Sequence, residues 1–110
     1  MSNGLDDRKN AFESKFAQDQ QLQFRVEARA CKLFGLWLAE QMGLGGNDAN
    51  AYASDMVAAN LDQPGLDDVI EKATADLTSR GQSADDTALR ARLDLCLTAA
   101  KEQVMNETTA

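Results

Sequence analysis

The sequence predicts an all-α fold, a four-helix bundle with a flexible or weakly helical N-terminal arm. Hydrophobic residues make up 44% of the 110-residue chain, which is enough for the core of one small domain. The chain has one proline, seven glycines and few aromatic residues, whereas a β-sandwich needs many turn residues. Apolar residues recur at helical spacing between short breaks, so neighbouring helices are expected to be antiparallel.

The longest predicted helix begins near residue 20 and ends at Met42. Its second half, CKLFGLWLA (31–39), is almost entirely apolar, and we expect it to be buried on several sides. The segment GLGGN (43–47) follows, where glycine supplies the left-handed conformation of a helix C-cap. Two apolar faces are predicted, with Leu22, Val26, Leu33 and Trp37 on one and Phe24, Cys31, Leu38 and Met42 on the other.

A second helix is predicted from Asn47 or Asp48, as its cap, to about Leu61. The Gln-Pro-Gly sequence at 63–65 then breaks the chain, and a third helix spans roughly 66–80 before Gly81 as its C-cap. The inward-facing residues are predicted to be Ala49, Tyr52, Ala53, Met56 and Val57 in the second helix, and Leu66, Val69, Ile70, Ala73 and Leu77 in the third.

A fourth helix is predicted to begin at Ser83 or Asp85 and to end near Met105, which leaves residues 106–110 loose. Its inward residues follow heptad-like spacing, as expected for a helix that packs along its whole length. They are Leu89, Leu93, Cys96, Ala100 and Val104.

Residues 1–19 are predicted to form the N-terminal arm, and residues 20–110 the bundle. Leu5, Phe12 and Phe16 are the only large apolar residues of LDDRKNAFESKF (5–16), and they fall on one narrow helical stripe. Because fixing each backbone residue costs about 1–2 kcal/mol, this segment cannot stay folded alone. It suits a groove in another protein. The alternative is that both phenylalanines fold back and cover apolar surface of the bundle itself.

The polar stretch AQDQQLQ (17–23) lacks an apolar stripe, and we expect it to be a frayed joint between the arm and the bundle. No proline or glycine interrupts it, so one continuous helix from about residue 6 to 42 is an alternative once a partner is bound.

The net charge of −7 is unevenly distributed. Residues 1–32 hold six Lys/Arg against five Asp/Glu, and residues 33–110 hold five against thirteen, so the two parts carry +1 and −8. An acidic body disfavours nucleic acid and anionic membranes as partners. The basic residues near the arm would attract an acidic groove of a partner protein during approach. For Arg25, Arg29 and Lys32, however, we expect solvated helix faces without a partner role.

No apolar run reaches the roughly 20 residues of a membrane span, and the first residues lack the pattern of a signal peptide. We therefore expect a cytoplasmic protein, without direct membrane insertion, that is a monomer when free. In a reducing compartment, Cys31 and Cys96 are expected to be core residues rather than a disulfide.

No catalytic or metal site is predicted. Histidine is absent, and two thiols supply too few ligands for zinc. The adjacent pairs Asp6–Asp7, Asp67–Asp68 and Asp85–Asp86 lie at predicted helix starts, where carboxylates offset the helix dipole. We expect no cofactor. The alternative is an acidic module that binds adenine nucleotide near Tyr52 and the glycines of residues 43–46.

Residues 6–43 resemble the alphaproteobacterial F1-ATPase inhibitor family, the zeta subunit. A motif DDRxxAFExKFA and a later motif KLxGLW carry the resemblance, and the first is long and specific. The first is matched by Asp6, Asp7, Arg8, Ala11, Phe12, Glu13, Lys15, Phe16 and Ala17, and the second by Lys32, Leu33, Gly35, Leu36 and Trp37.

The resemblance implies a four-helix bundle whose N-terminal segment inhibits ATP hydrolysis by the F1 sector of ATP synthase. By analogy with the mitochondrial inhibitory factor, the arm would insert as a helix at a catalytic α/β interface near the γ stalk. The protein would then be peripheral to the membrane through F1Fo-ATP synthase. The residues predicted to contact F1 are Leu5, Asp6, Asp7, Arg8, Lys9, Phe12, Glu13, Lys15 and Phe16.

The chain departs from the family pattern at Gln18, where members often have a histidine. Histidine-based pH sensing is therefore not expected in this chain.

Overall fold

Four α-helices account for the architecture of this computed structural model. It describes the backbone of residues 4–62 and 65–109, and the side chains of residues 19–61 and 65–107. The helices are α1 (Gly4–Gln41), α2 (Gly46–Asp62), α3 (Asp67–Ser79) and α4 (Asp86–Thr109). The described backbone contains no strand, so the predicted all-α fold and four-helix bundle are confirmed.

The second half of α1 forms the centre of the core, as its apolar sequence predicts. Ala30, Cys31, Phe34 and Leu38 are completely buried. Helix α1 packs most extensively against α2 and α4, and α3 completes the bundle by packing on α2 and α4. The predicted inward residues of α4, from Leu89 to Val104 at heptad spacing, are all buried, as are Val69, Ile70, Ala73 and Leu77 of α3.

One core assignment in α1 differs from the sequence prediction. Phe24 is 53% exposed, although it was predicted on the same face as Cys31. The two positions are seven residues apart, but the helices that bury Cys31 leave more than half of the Phe24 side chain exposed. Trp37 is half-buried at the edge of the core, where its ring stacks on Phe34 at 6.0 Å between centroids and Arg92 lies 5.1 Å from its centre.

The helix ends follow capping chemistry that the sequence only partly predicts. Gly43 and Gly81 both have φ of 76° and end α1 and α3 in the predicted way. Asp85 is the cap of α4, since its Oδ1 accepts a hydrogen bond from the Thr87 amide at 3.0 Å. Helix α2 begins earlier than predicted, and the predicted cap Asp48 lies within its first turn, where its carboxylate offsets the helix dipole.

The carboxyl-terminal residues 106–109 are helical, so the prediction of a loose tail from 106 is wrong for the described backbone. The physical reason lies in Glu107, which pairs with arginines of α1 and so holds the last turns of α4 against the longer helix.

Both cysteines are buried and unpaired, which confirms the prediction that they are core residues. Burial raises the pKa of the Cys31 thiol to about 11, and the Glu27 carboxylate and Cys96 add to this effect. Burial also raises the pKa of Cys96, against an opposing effect of Arg92. Both thiols are therefore protonated and unreactive at neutral pH.

Gly35, within the KLxGLW motif, marks the closest approach of α1 to α2. A Cβ atom built at this position would lie 2.7 Å from the Cα of Ala53 and 3.2 Å from the Cβ of Met56. The first of these neighbours is backbone and cannot rotate away, so the two helices approach at this distance only because residue 35 has no side chain.

We predict that Gly35→Ala destabilises the protein. Forcing a methyl group into this contact costs about 1–3 kcal/mol, against which alanine regains about 1 kcal/mol of helix propensity. Urea denaturation followed by the fluorescence of Trp37 measures the difference. Gly45→Ala is the control for the steric effect, because a Cβ there meets nothing within 4 Å; we expect a smaller loss, about 0.5 kcal/mol, since Gly45 precedes α2 and alanine is a poorer N-cap than glycine. Equal stability of the two variants would contradict the assignment.

Candidate functional site

The first part of α1 extends past the helices that pack on its second part. Arg25 and Arg29 both contact Glu107, so the end of α4 lies beside this level of α1. Helix α1 begins at Gly4, 21 residues before Arg25, which corresponds to about 30 Å of helix at 1.5 Å per residue. The long axis of the molecule, 68 Å against 27 and 21 Å for the others, agrees with this projection.

The residues predicted to contact F1, from Leu5 to Phe16, belong to this projecting part. Their backbone is helical, and their side chains lie outside the described residues. The prediction that Phe12 and Phe16 dock in a partner, and the alternative that they cover the bundle, therefore both stay predictions. The same holds for the division between an arm of residues 1–19 and a bundle of residues 20–110.

The predicted frayed joint over residues 17–23 is absent from the structure, because α1 is continuous there. Glutamine, alanine and leucine have good helix propensity, and the stretch contains neither glycine nor proline. Gln23 adds a weak side-chain contact to Glu27, one turn later, at 3.5 Å. Helix α1 therefore has the continuity that the alternative prediction requires, a helix from about residue 6 to 42 once a partner is bound.

An ion-pair cluster of Arg25, Arg29, Gln103 and Glu107 joins α1 to the end of α4. The Arg29 guanidinium donates from Nη2 to Glu107 Oε1 at 2.7 Å and from Nη1 to Gln103 Oε1 at 2.8 Å. Arg25 Nη2 donates to Glu107 Oε2 at 3.4 Å. Arg25 and Arg29 thus bind α4 at the point where α1 leaves the bundle, while both side chains stay partly exposed. The expectation that they have no role toward a partner protein stays a prediction.

We predict that Arg29→Met lowers the free energy of unfolding by about 1 kcal/mol, because it removes two hydrogen bonds to partly exposed groups. Thermal and urea denaturation measure the loss, which should shrink at high salt because the cluster is solvent-accessible. Lys101→Met is the control, as Lys101 is an exposed cation of α4 outside the cluster, and it should leave stability unchanged. If both variants have the same stability, the cluster does not hold α4 to α1.

Phe24 lies directly beside this cluster, and two shallow grooves meet at its side chain. One groove, of about 420 Å³, is lined by Gln20, Gln21, Phe24 and Arg25. The other has a volume of about 320 Å³ and an apolar part made of Phe24, Ala28, Val57 and Val104. Its basic part consists of Arg25, Arg29 and Lys32. We refer to the lining residues of these two grooves as the Phe24 surface.

Tyr52, the centre of the nucleotide alternative, forms a contact between α2 and α3. Its hydroxyl donates to Asp76 Oδ2 at 2.7 Å, and Lys72 Nζ lies 3.1 Å from the same carboxylate oxygen and 5.5 Å from the ring centroid. Burial and the bond to Asp76 raise the pKa of Tyr52. The glycine segment that follows α1 forms a helix cap, in which the Leu44 amide donates to the Ala39 carbonyl at 2.8 Å.

Two other kinds of site are absent from the part of the chain that the structure describes. No group of three or more acidic or cysteine side chains lies close enough there to hold a metal ion. Among the same residues, no helix combines the length and the apolar character needed to span a membrane.

The fold and the projecting helix define a class of small all-α protein that presents one long helix from a compact bundle. The family model described as ATPase inhibitor subunit zeta matches residues 1–103, and the chain belongs to this family. The family resemblance of the N-terminal sequence is therefore confirmed. Membership in an inhibitor family also indicates a regulatory rather than a catalytic protein.

A protein structure solved by solution NMR is similar to this chain, with 40% sequence identity and a TM-score of 0.68. The alignment covers 78% of this chain and 98% of that one. No curated protein matches the chain.

Two features of the site are not evident from the sequence. The spacing of Phe24 from Cys31 predicts a buried position, and no local signal shows that α2 and α4 leave more than half of its side chain exposed. The attachment of Arg29 to Glu107 joins residues 78 positions apart, so only the antiparallel packing of α1 and α4 reveals it.

Proposed function

We propose that this protein inhibits ATP hydrolysis by the F1 sector of ATP synthase, and that its arm, residues 1–19, docks as a helix at a catalytic α/β interface near the γ stalk. Membership in the zeta inhibitor family supports the inhibitory role. The observation that carries the proposed mechanism is that α1 continues as a helix for about 30 Å beyond the ion-pair cluster. A single projecting helix can enter a crevice that is too narrow for the bundle.

The arm belongs to the same helix as the packed part of α1, and this continuity reduces the free energy needed to order the arm. An isolated helix of this length must first form a costly nucleus, whereas a helix that extends from a packed one only adds turns. The buried residues from Ala30 to Leu38 supply that packed helix, and Arg29 fixes it to α4. Most of the binding free energy of the arm is then available for affinity.

Within the arm, we assign Leu5, Phe12 and Phe16 as the apolar residues buried by the partner. Arg8, Lys9, Glu13 and Lys15 form polar contacts that set the position of the helix in its groove. Asp6 and Asp7 lie near the start of α1, where carboxylates offset the positive end of the helix dipole. The complex places the protein on the F1 side of the membrane, peripheral to it through F1Fo-ATP synthase, with a monomer as the free state.

We predict that Phe12→Ala together with Phe16→Ala raises the concentration needed for half-inhibition of F1 by about 100-fold or more. Each phenylalanine buried by a partner contributes about 1.5–3 kcal/mol, and 1.4 kcal/mol corresponds to a factor of ten. The measurement is ATP hydrolysis by purified F1 from the same organism, with increasing amounts of each variant. Inhibition equal to that of the unchanged protein would reject these two residues as the anchors.

A chain that lacks residues 1–18 separates docking from folding. If the arm serves the partner, this chain unfolds at the same urea concentration as the full chain and does not inhibit. If Phe12 and Phe16 instead cover the bundle, the shortened chain unfolds at lower urea concentration, and the proposed role of the arm fails.

Binding of adenine nucleotide stays a prediction of the sequence and an alternative to the inhibitory role. Its proposed site includes Tyr52, whose hydroxyl is already bonded to Asp76. Titration with ATP or ADP, followed by amide chemical shifts, decides it. Saturable shifts at Tyr52 and residues 43–46 would support it, and unchanged spectra would reject it.

A further inference from the structure

The Phe24 surface combines exposed apolar area with positive charge. Phe24 is 53% exposed on the helix that otherwise supplies the centre of the core. The basic residues of the surface are Arg25, Arg29 and Lys32, against the one carboxylate of Glu107 that pairs with the two arginines. An apolar area with an excess of positive charge suits a segment that carries apolar side chains flanked by carboxylates.

This charge contrasts with the rest of the chain. Residues 33–110 carry thirteen Asp/Glu and five Lys/Arg, a net charge of −8, so the Phe24 surface lies at the basic end of an acidic molecule. Such an arrangement orients the protein toward an acidic partner during approach.

The position of the surface points to the partner of the arm. Residues 12, 16, 20 and 24 follow one another at four-residue spacing along the continuous helix α1, and each step turns the position by about 40°, so residue 24 lies about 80° around the helix from residue 16. Phe24 is eight residues after Phe16, which is about 12 Å along the helix axis. A protein that encloses the arm through residue 16 therefore has surface within a short distance of Phe24.

We propose that the Phe24 surface is a second contact with the protein that receives the arm, and that it takes an apolar segment of that protein flanked by Asp or Glu side chains. This inference rests on the proposed function and extends the interface beyond residues 1–19. The arm inserts into the crevice of the partner, and the Phe24 surface binds the partner beside the opening of that crevice.

Phe24→Ala tests the apolar part of the contact. We expect its half-inhibitory concentration against F1 to rise about 10-fold or more, the range for one phenylalanine removed from an interface. Its unfolding transition should shift only slightly, and by about as much as that of Leu95→Ala, because both side chains are more than half exposed. Leu95→Ala is the matched control: Leu95 is 62% exposed on α4, away from the Phe24 surface, and we expect no change in inhibition.

Lys32→Gln tests the electrostatic part. It should weaken inhibition several-fold at low salt and much less at high salt, whereas Lys101→Gln, on the exposed side of α4, should leave inhibition unchanged. Phe24 and Lys32 lie outside the predicted arm, so these variants retain every arm residue assigned above.

The outcomes distinguish this inference from the proposed function. If the unchanged protein inhibits F1 and Phe24→Ala inhibits equally well, the second contact is wrong and the inhibitory role stands. If the unchanged protein does not inhibit F1, the proposed function fails and this inference fails with it. Sedimentation that shows dimers of the unchanged protein and monomers of Phe24→Ala would also overturn it, because the occupant would then be a second copy.

Discussion

The burial of the second half of α1 is the interaction on which the rest of the structure depends. Phe34 and Leu38 are completely enclosed, and Gly35 lets α2 approach so closely that no side chain fits between the two backbones. Close packing of this kind gains dispersion contacts that a loosely packed helix pair lacks. The same half of α1 also packs against α4, and this second packing contact determines where α4 ends relative to α1.

The position of the α4 end has a functional consequence. Glu107 meets Arg25 and Arg29 at the level where α1 leaves the bundle, and the preceding part of the helix projects beyond that level. The projecting segment needs no nucleus of its own, since it extends a helix whose other half is packed. A long helix can thus be presented by a bundle with a small core.

The charge distribution complements this geometry. The acidic residues lie mainly in the bundle, whereas Arg25, Arg29 and Lys32 lie where the helix projects. This distribution of charge presents the projecting end of the helix to an acidic partner first. The lack of histidine means that no side chain of this chain titrates near pH 7 at its ordinary pKa, so control by pH requires a shifted group or the partner.

The sequence by itself determined the helices, most of the core and the family. The heptad spacing in α4, the apolar run around Leu38 and the glycines at 43 and 81 are local signals, and each corresponds to an observed feature. Hydrophobic period and capping chemistry act within one helix, so they can be recognised without knowledge of the fold.

Only the tertiary structure decided which parts of α1 are covered by other helices. Phe24 is more than half exposed, and Arg29 is bonded to α4. Residues 106–109 are helical, because Glu107 pairs with arginines of α1. These features depend on contacts between residues that are far apart in the chain. The register of two packed helices arises from the sum of many weak contacts, and no single residue carries that information.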